Sequence, residues 1–123
     1  MRPKGTRQAA AVLWEPQQRA QFVTRVIGGT RRAADVLRVD AAQTSRWTSG
    51  ASIPAPDQAR MLVDIEHALT HALLVWADER VARDWLGTPN AHLDGVAPIE
   101  WIRLHGTAEV VDAIRAEAAG AYA

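Results

Sequence analysis

The chain has 123 residues, 48% of them hydrophobic, which is enough for one folded domain, or two small ones sharing a core, and argues against disorder. It has no cysteine, which excludes disulfides, thiolate nucleophiles and cysteine-based zinc sites together and suits a reducing cytoplasm. The formal net charge is zero, yet residues 1–50 carry nine basic residues against three acidic, net +6, and residues 51–123 carry five against eleven, net −6. Such a split suits a polyanionic partner at one end and a different partner at the other.

Residues 1–13 read as a basic arm that could lie along phosphates or simply fray. Their apolar run, residues 9–14, is short for a signal-peptide core, and no segment approaches the length of a membrane span. A soluble, cytoplasmic protein without membrane contact is expected. Trp14-Glu15-Pro16 opens the first helix, with Pro tolerated at the first position and Glu15 at the positive end of the dipole. Phe22, Val23, Val26 and Ile27 follow at three-and-four spacing and mark a core-facing stripe, which Gly28-Gly29 ends.

In TRRAADVLRVDAAQTSRWTSG, residues 30–50, Thr30 can cap a two-turn helix containing Ala33, Ala34 and Leu37. Arg38-Val39-Asp40 makes a tight turn, and Asp40 caps a helix that runs to Trp47 and stops at Gly50. Ala34 is small where a second helix must approach; Leu37, Val39, Thr44 and Trp47 face inward. This stretch resembles a helix-turn-helix of the Xre, lambda-repressor-like class, which places Ala, Val and Trp at these offsets and follows the Trp with Gly. The chain departs from that class twice. Arg38 stands where Gly is usual and carries a steric cost if its φ is positive. Thr44 stands where Val or Ile is usual, so its hydroxyl is expected to bond back to its own helix. A helical hairpin that touches no nucleic acid is the plainer alternative.

The resemblance implies that the second helix enters the major groove. Ala41, Ala42, Gln43, Ser45, Arg46 and Ser49 would then point outward. Gln43 can pair bidentately with adenine, Arg46 can read guanine or clamp a phosphate, and Ala42 can touch a thymine methyl. Arg31 and Arg32, with the capped helix start at Thr30, are placed for backbone phosphates. With two alanines at the leading edge the base-reading set is thin, so specificity would need a homodimer on paired half-sites, or DNA shape.

Residues 52–56 form a linker stiffened by two prolines, too short to separate independent domains. Residues 57–77 are the longest helix, with Met61, Leu62, Ile65, Leu69, Leu73 and Trp76 on one stripe, broadened by Val63, Leu74 and Val75. That width predicts a spine on which both halves dock, with a possible dimer contact besides. His67 and His71 share a face and could bind a metal, but Ala68 follows His67 where a zinc protease has Glu. Two polar residues at the edge of the stripe are the simpler reading. No phosphate-cradling glycine loop, no nucleophile elbow and no Cys–His pair is present, so no catalytic residues, metal or cofactor are expected.

From Asp78-Glu79 a short helix bears Val81, Trp85 and Leu86, and Gly87-Thr88-Pro89 stops it. Asn90 is placed to cap a short turn carrying Leu93, and Gly95 is free to take positive φ. Pro98 opens a helix with Ile99, Trp101, Ile102 and Leu104. Gly106 ends it, and Thr107 can cap the last helix, with Val110, Val111 and Ile114. Trp85, Leu86, Pro89, Asn90, Leu93, Gly95, Pro98, Trp101, Ile102, Gly106, Val110 and Ile114 together resemble the signature of the toxin-binding domain of Xre/MbcA/ParS-type antitoxins. A small helical subdomain with ordinary caps is the alternative.

The resemblance covers about residues 17–123. It implies an all-α fold: an Xre-type helix-turn-helix bundle, a long helix, and a compact C-terminal toxin-binding unit. The divisions are a basic arm at 1–13, a DNA-binding region at 14–56, a connecting helix at 57–77 and a toxin-binding domain at 78–123. It further implies an antitoxin that represses its own operon and occludes a RES-type, NAD-degrading toxin. The tail Gly120, Ala121, Tyr122 and Ala123 would lie in or over the toxin's active-site entrance, Tyr122 serving as the aromatic anchor. Two rivals remain: a stand-alone repressor whose C-terminal unit only dimerises, and a small metal-dependent enzyme using His67 and His71.

Overall fold

The computed structural model describes residues 16–120. The expected arm, Trp14, Glu15 and the tail residues Ala121, Tyr122 and Ala123 lie outside the described residues. The described chain is all-α. Its seven α-helices are α1 (Pro16–Ile27), α2 (Thr30–Leu37), α3 (Ala41–Ser49), α4 (Pro56–Trp76), α5 (Glu79–Leu86), α6 (Pro98–His105) and α7 (Ala108–Gly120), with a 3-10 turn at Ala91–Leu93. One isolated bridge, Asn90 to Val96, closes the loop before α6.

The 21-residue α4 is the spine, packing against α1 and against α5, α6 and α7. Leu62, Ile65, Ala68, Leu69 and Ala72 are buried along it. Each large member contributes about 1.5–3 kcal/mol by leaving water. Met61, Leu73 and Trp76 are half-buried against this core. The broadening residues are not covered: Leu74 is 78% exposed, and Val63 and Val75 are also exposed.

The first three helices share one way of ending. In each, the amides of the two residues after the helix fold back on the carbonyls three and two places before its last residue, a Schellman arrangement. The bonds are Gly29 N–H to Thr24 O (2.8 Å) with Gly28 N–H to Arg25 O (3.2 Å); Val39 N–H to Ala34 O (3.0 Å) with Arg38 N–H to Asp35 O (3.3 Å); and Ala51 N–H to Arg46 O (2.9 Å) with Gly50 N–H to Trp47 O (3.3 Å). Gly28 and Gly50 supply the positive φ without strain, whereas Arg38 takes it as a β-carbon-bearing residue, at φ 59° and ψ 46°. The expected turn is therefore present, strained where the missing glycine predicts.

Caps made by short acidic or amide side chains agree with the sequence. Asp40 accepts from Gln43 N–H at 2.8 Å, Asp78 from Arg80 and Val81 N–H at 2.9 and 3.1 Å, and Asn90 from His92 N–H at 2.9 Å. Three expectations about threonine hydroxyls fail. Thr30 is not a cap: Gly29, at φ 116°, holds that position and its carbonyl receives Ala33 N–H, leaving Thr30 as the first helical residue. The Thr44 hydroxyl is buried without a partner. The carbonyl one turn back, Asp40 O, already accepts from Gln43 and Thr44 amides. Thr107 stands before α7 with its carbonyl receiving Val111 N–H, but its hydroxyl is buried with no hydrogen bond.

Candidate functional site

The outer face of α3 carries most of the residues expected at DNA. Ala41, Ala42, Ser45, Arg46 and Ser49 are exposed, while Thr44 and Trp47, on the opposite face, are fully buried. Gln43 is half-buried, and both ends of its amide are engaged: its nitrogen donates to Ser52 Oγ at 3.2 Å, and its oxygen accepts from Arg46 Nη2 at 2.6 Å. Gln43 and Arg46 thus form a linked pair, and reading a base with either means releasing the other. Ser49 Oγ donates to the Arg46 carbonyl at 3.2 Å.

Arg31 and Arg32 are exposed in the first turn of α2, with Thr30 half-buried ahead of them. Arg32 turns toward the junction of the two halves. A β-carbon on Gly28 would lie 3.0 Å from Arg32 Cδ and 3.3 Å from Arg83 Cδ, so the two arginine stems converge there. They border a cleft of about 570 Å³ whose wall also holds Asp35 and Asp84 and whose apolar lining includes Leu86 and Ile99. Its charged rim is of both signs.

The C-terminal helices present tryptophans at the surface. Trp76 and Trp85 pack with ring centroids 5.6 Å apart, and Trp85 Nε1 donates to Glu117 Oε1 at 3.4 Å, tying α5 to α7. Trp101 lies 4.4 Å from the His105 ring and donates to Glu109 Oε1 at 3.2 Å. Beside them Val81 is 41% exposed and Leu104 70% exposed. Gly120, the one tail residue that is described, is the exposed last residue of α7.

His67 and His71 do face each other, with ring centroids 4.9 Å apart. The His71 imidazole is held below its ordinary protonation range, first by burial and then by the charges of His67 and Arg115. Among the described residues no third His, Cys, Asp or Glu joins them in a group that could hold a metal ion. No described helix is long and apolar enough to cross a membrane.

Residues 71–120 match the family model of the antitoxin Xre/MbcA/ParS C-terminal toxin-binding domain. That segment of the chain is similar to the toxin-binding domain of this antitoxin family. Neither a curated protein nor a solved structure matches the chain. The matched segment begins inside α4, and so takes in the end of that helix, His71 to Trp76, together with α5, α6 and α7.

Sequence reasoning missed the residues by which the matched segment grips the rest. Each Schellman end leaves the next-to-last helical carbonyl without a backbone donor, and in α1 and α2 an arginine of the matched segment fills the gap. Arg83 Nη1 donates to Val26 O at 3.1 Å, and Arg103 Nη2 makes a short bond to Val36 O. In α3 the equivalent carbonyl, Thr48 O, accepts from Gln17 and Gln21 of α1 at 3.1 and 2.9 Å. Glu100 accepts from Arg103 Nε at 3.4 Å and also meets Arg38 Nη2 at 3.5 Å. The signal in the sequence was thin: an arginine within the apolar helix at residues 98–105.

Proposed function

We propose that this chain is the antitoxin of a type II toxin–antitoxin pair in the cytoplasm, that its helix-turn-helix binds operator DNA, and that its C-terminal half holds and blocks a RES-type, NAD-degrading toxin. The observation that carries the reading is the match of residues 71–120 to a toxin-binding domain, joined to an N-terminal half of opposite charge. Inhibition is by occlusion, without turnover. The tail, Gly120, Ala121, Tyr122 and Ala123, covers the nucleotide-sized entrance of the toxin, with Tyr122 as anchor.

In the DNA complex Ala42, Gln43, Ser45, Arg46 and Ser49 face the major groove, and Thr30, Arg31 and Arg32 face the phosphates. The exposure of α3's outer face and of Arg31 supports this. A homodimer presents two such helices to paired half-sites, and the uncovered Val63, Leu74 and Val75 on α4 are a surface suited to it. The operon's product thereby represses its own synthesis.

The test is an NAD-consumption assay with the product of the neighbouring gene. Inhibition that saturates at a fixed molar ratio of antitoxin to toxin supports occlusion. Undiminished NAD loss in the presence of excess antitoxin refutes it. Deleting residues 119–123 should restore NAD loss even where the two chains still co-purify; unchanged inhibition would place the block elsewhere.

A further inference from the structure

The toxin-binding domain does more than hang from the helix-turn-helix. Its helix α6 grips the turn between α2 and α3 at two points. Val36 O lies next to last in α2, and the Schellman bonds at Ala34 O and Asp35 O leave it without a backbone donor. Arg103 of α6, 67 residues along the chain, supplies one. A cation at the last carbonyls of a helix is favoured by hydrogen bonding and by the dipole together. Two residues beyond Val36, Arg38 is the left-handed residue of the turn, and its guanidinium lies 3.5 Å from Glu100 Oε1. Glu100 in turn meets Arg103 Nε at 3.4 Å, so one carboxylate binds both the turn and the arginine that caps the helix before it.

The turn fixes where α3 starts. Val39 N–H is committed to Ala34 O, and Asp40 caps α3 through Gln43 N–H, so the exit direction of α3 follows from the geometry of residues 36–40. A non-glycine residue in the left-handed region is held only when its surroundings over-determine it. At Arg38 part of those surroundings is α6.

We propose that Arg103, aligned by Glu100, is a positioning residue for DNA binding: it lies within the toxin-binding domain, makes no contact with the duplex, and sets the pose of α3 by holding the helix-turn-helix turn. The inference rests on the proposal that α3 reads DNA. Arg103 is 19% exposed at its side chain, and two of its guanidinium nitrogens are engaged, Nη2 by Val36 O and Nε by Glu100. A partner that shifts α6 would move the same turn, so the domain that holds the toxin also has a mechanical hold on the reading helix.

The experiment uses the full chain and a duplex carrying the sequence upstream of its own gene, titrated over a range of salt. Arg103→Met keeps the aliphatic stem and removes the donor. It is expected to weaken binding roughly tenfold, within the span that coupling through packed contacts carries. The slope of log affinity against log salt should stay as in the parent, because no phosphate contact is lost. Arg103→Lys, which can still donate to Val36 O, should recover most of the affinity. Arg31→Ala is the contrasting control and should flatten the slope. Amide exchange in Arg103→Met should quicken across residues 36–41 while residues 62–72 remain protected.

Parent-like affinity in a folded Arg103→Met protein overturns the proposal, as does a flattened salt slope, which would mean that Arg103 touches phosphate itself. If Arg103→Met does not fold, Glu100→Gln decides by the same two readouts. A parent chain that ignores the duplex refutes the DNA reading and this inference with it. Loss confined to Arg103→Met and Glu100→Gln, with normal parent binding, supports the inference alone.

Discussion

Replacing Thr44 by Val should stabilise the protein. Thr44 is fully buried on the inner face of α3, and its hydroxyl oxygen has no hydrogen-bond partner. The carbonyl it could reach by back-bonding, Asp40 O, receives Gln43 N–H at 3.1 Å and Thr44 N–H at 3.3 Å. A buried polar group left unsatisfied costs about 1–3 kcal/mol. Valine has almost the same shape, so the change removes that cost without opening a cavity or crowding a neighbour, and the new methyl gains apolar burial. The expected gain is about 1–2 kcal/mol, or roughly 4 °C in Tm per kcal/mol for a domain of this size. Urea denaturation followed by circular dichroism is the assay, with the midpoint moving up and the slope m unchanged. A midpoint that stays put or falls at constant m would show that the hydroxyl is satisfied after all, and would undo the hydrogen-bond accounting for α3.

Ala77 ends α4 in the left-handed region at φ 53° and ψ 30°, so Ala77→Gly should raise stability by about 1 kcal/mol in a thermal melt. Arg38→Gly relieves the same strain but also removes the Arg38–Glu100 pair, so its net gain should be the smaller of the two. His71 has a folded-state pKa below its ordinary 6.5, so the unfolded chain takes up the proton first, and stability present above pH 6.5 should be lost as pH falls through that value and below. His71→Gln should flatten that slope in melts taken at a series of pH values; an unchanged slope would assign the acid sensitivity to other groups. At the DNA, Arg46→Ala should weaken binding to the specific duplex, while Arg31→Ala should weaken all sequences about equally and reduce the salt slope by about one phosphate's worth. If neither alters DNA retention, the assignment of α3 as reading helix fails.

What could be read from the sequence was whatever a residue does to its immediate neighbours. Asp40 and Asn90 cap the amides two or three residues ahead, so position and residue type were enough. The Arg38 turn was legible for the same reason, because its strain is a property of one dihedral. Threonine misled in three places. Its hydroxyl serves as a cap only when the rotamer and a free partner coincide, and at Thr30 the Gly28-Gly29 pair had already moved the cap one residue earlier. The α4 stripe gave the spine but not its uncovered side. Leu69 and Leu74 are the same residue type on one helix, yet Leu69 is fully buried and Leu74 is 78% exposed, because neighbouring helices reach only one of them. Arg83 and Arg103 were out of reach altogether, since each completes a carbonyl 57 or 67 residues away, and nothing local distinguishes such an arginine from a solvated one.

The most direct measurement is the mass of the particle formed when this chain is co-expressed with the product of its neighbouring gene, taken by light scattering on the size-exclusion peak. A single peak whose mass accounts for both chains in a fixed ratio, and which persists through dilution and moderate salt, is the predicted result. Two separate peaks, each with the mass of one chain's own assembly, would contradict the toxin-holding role assigned here to residues 71–120.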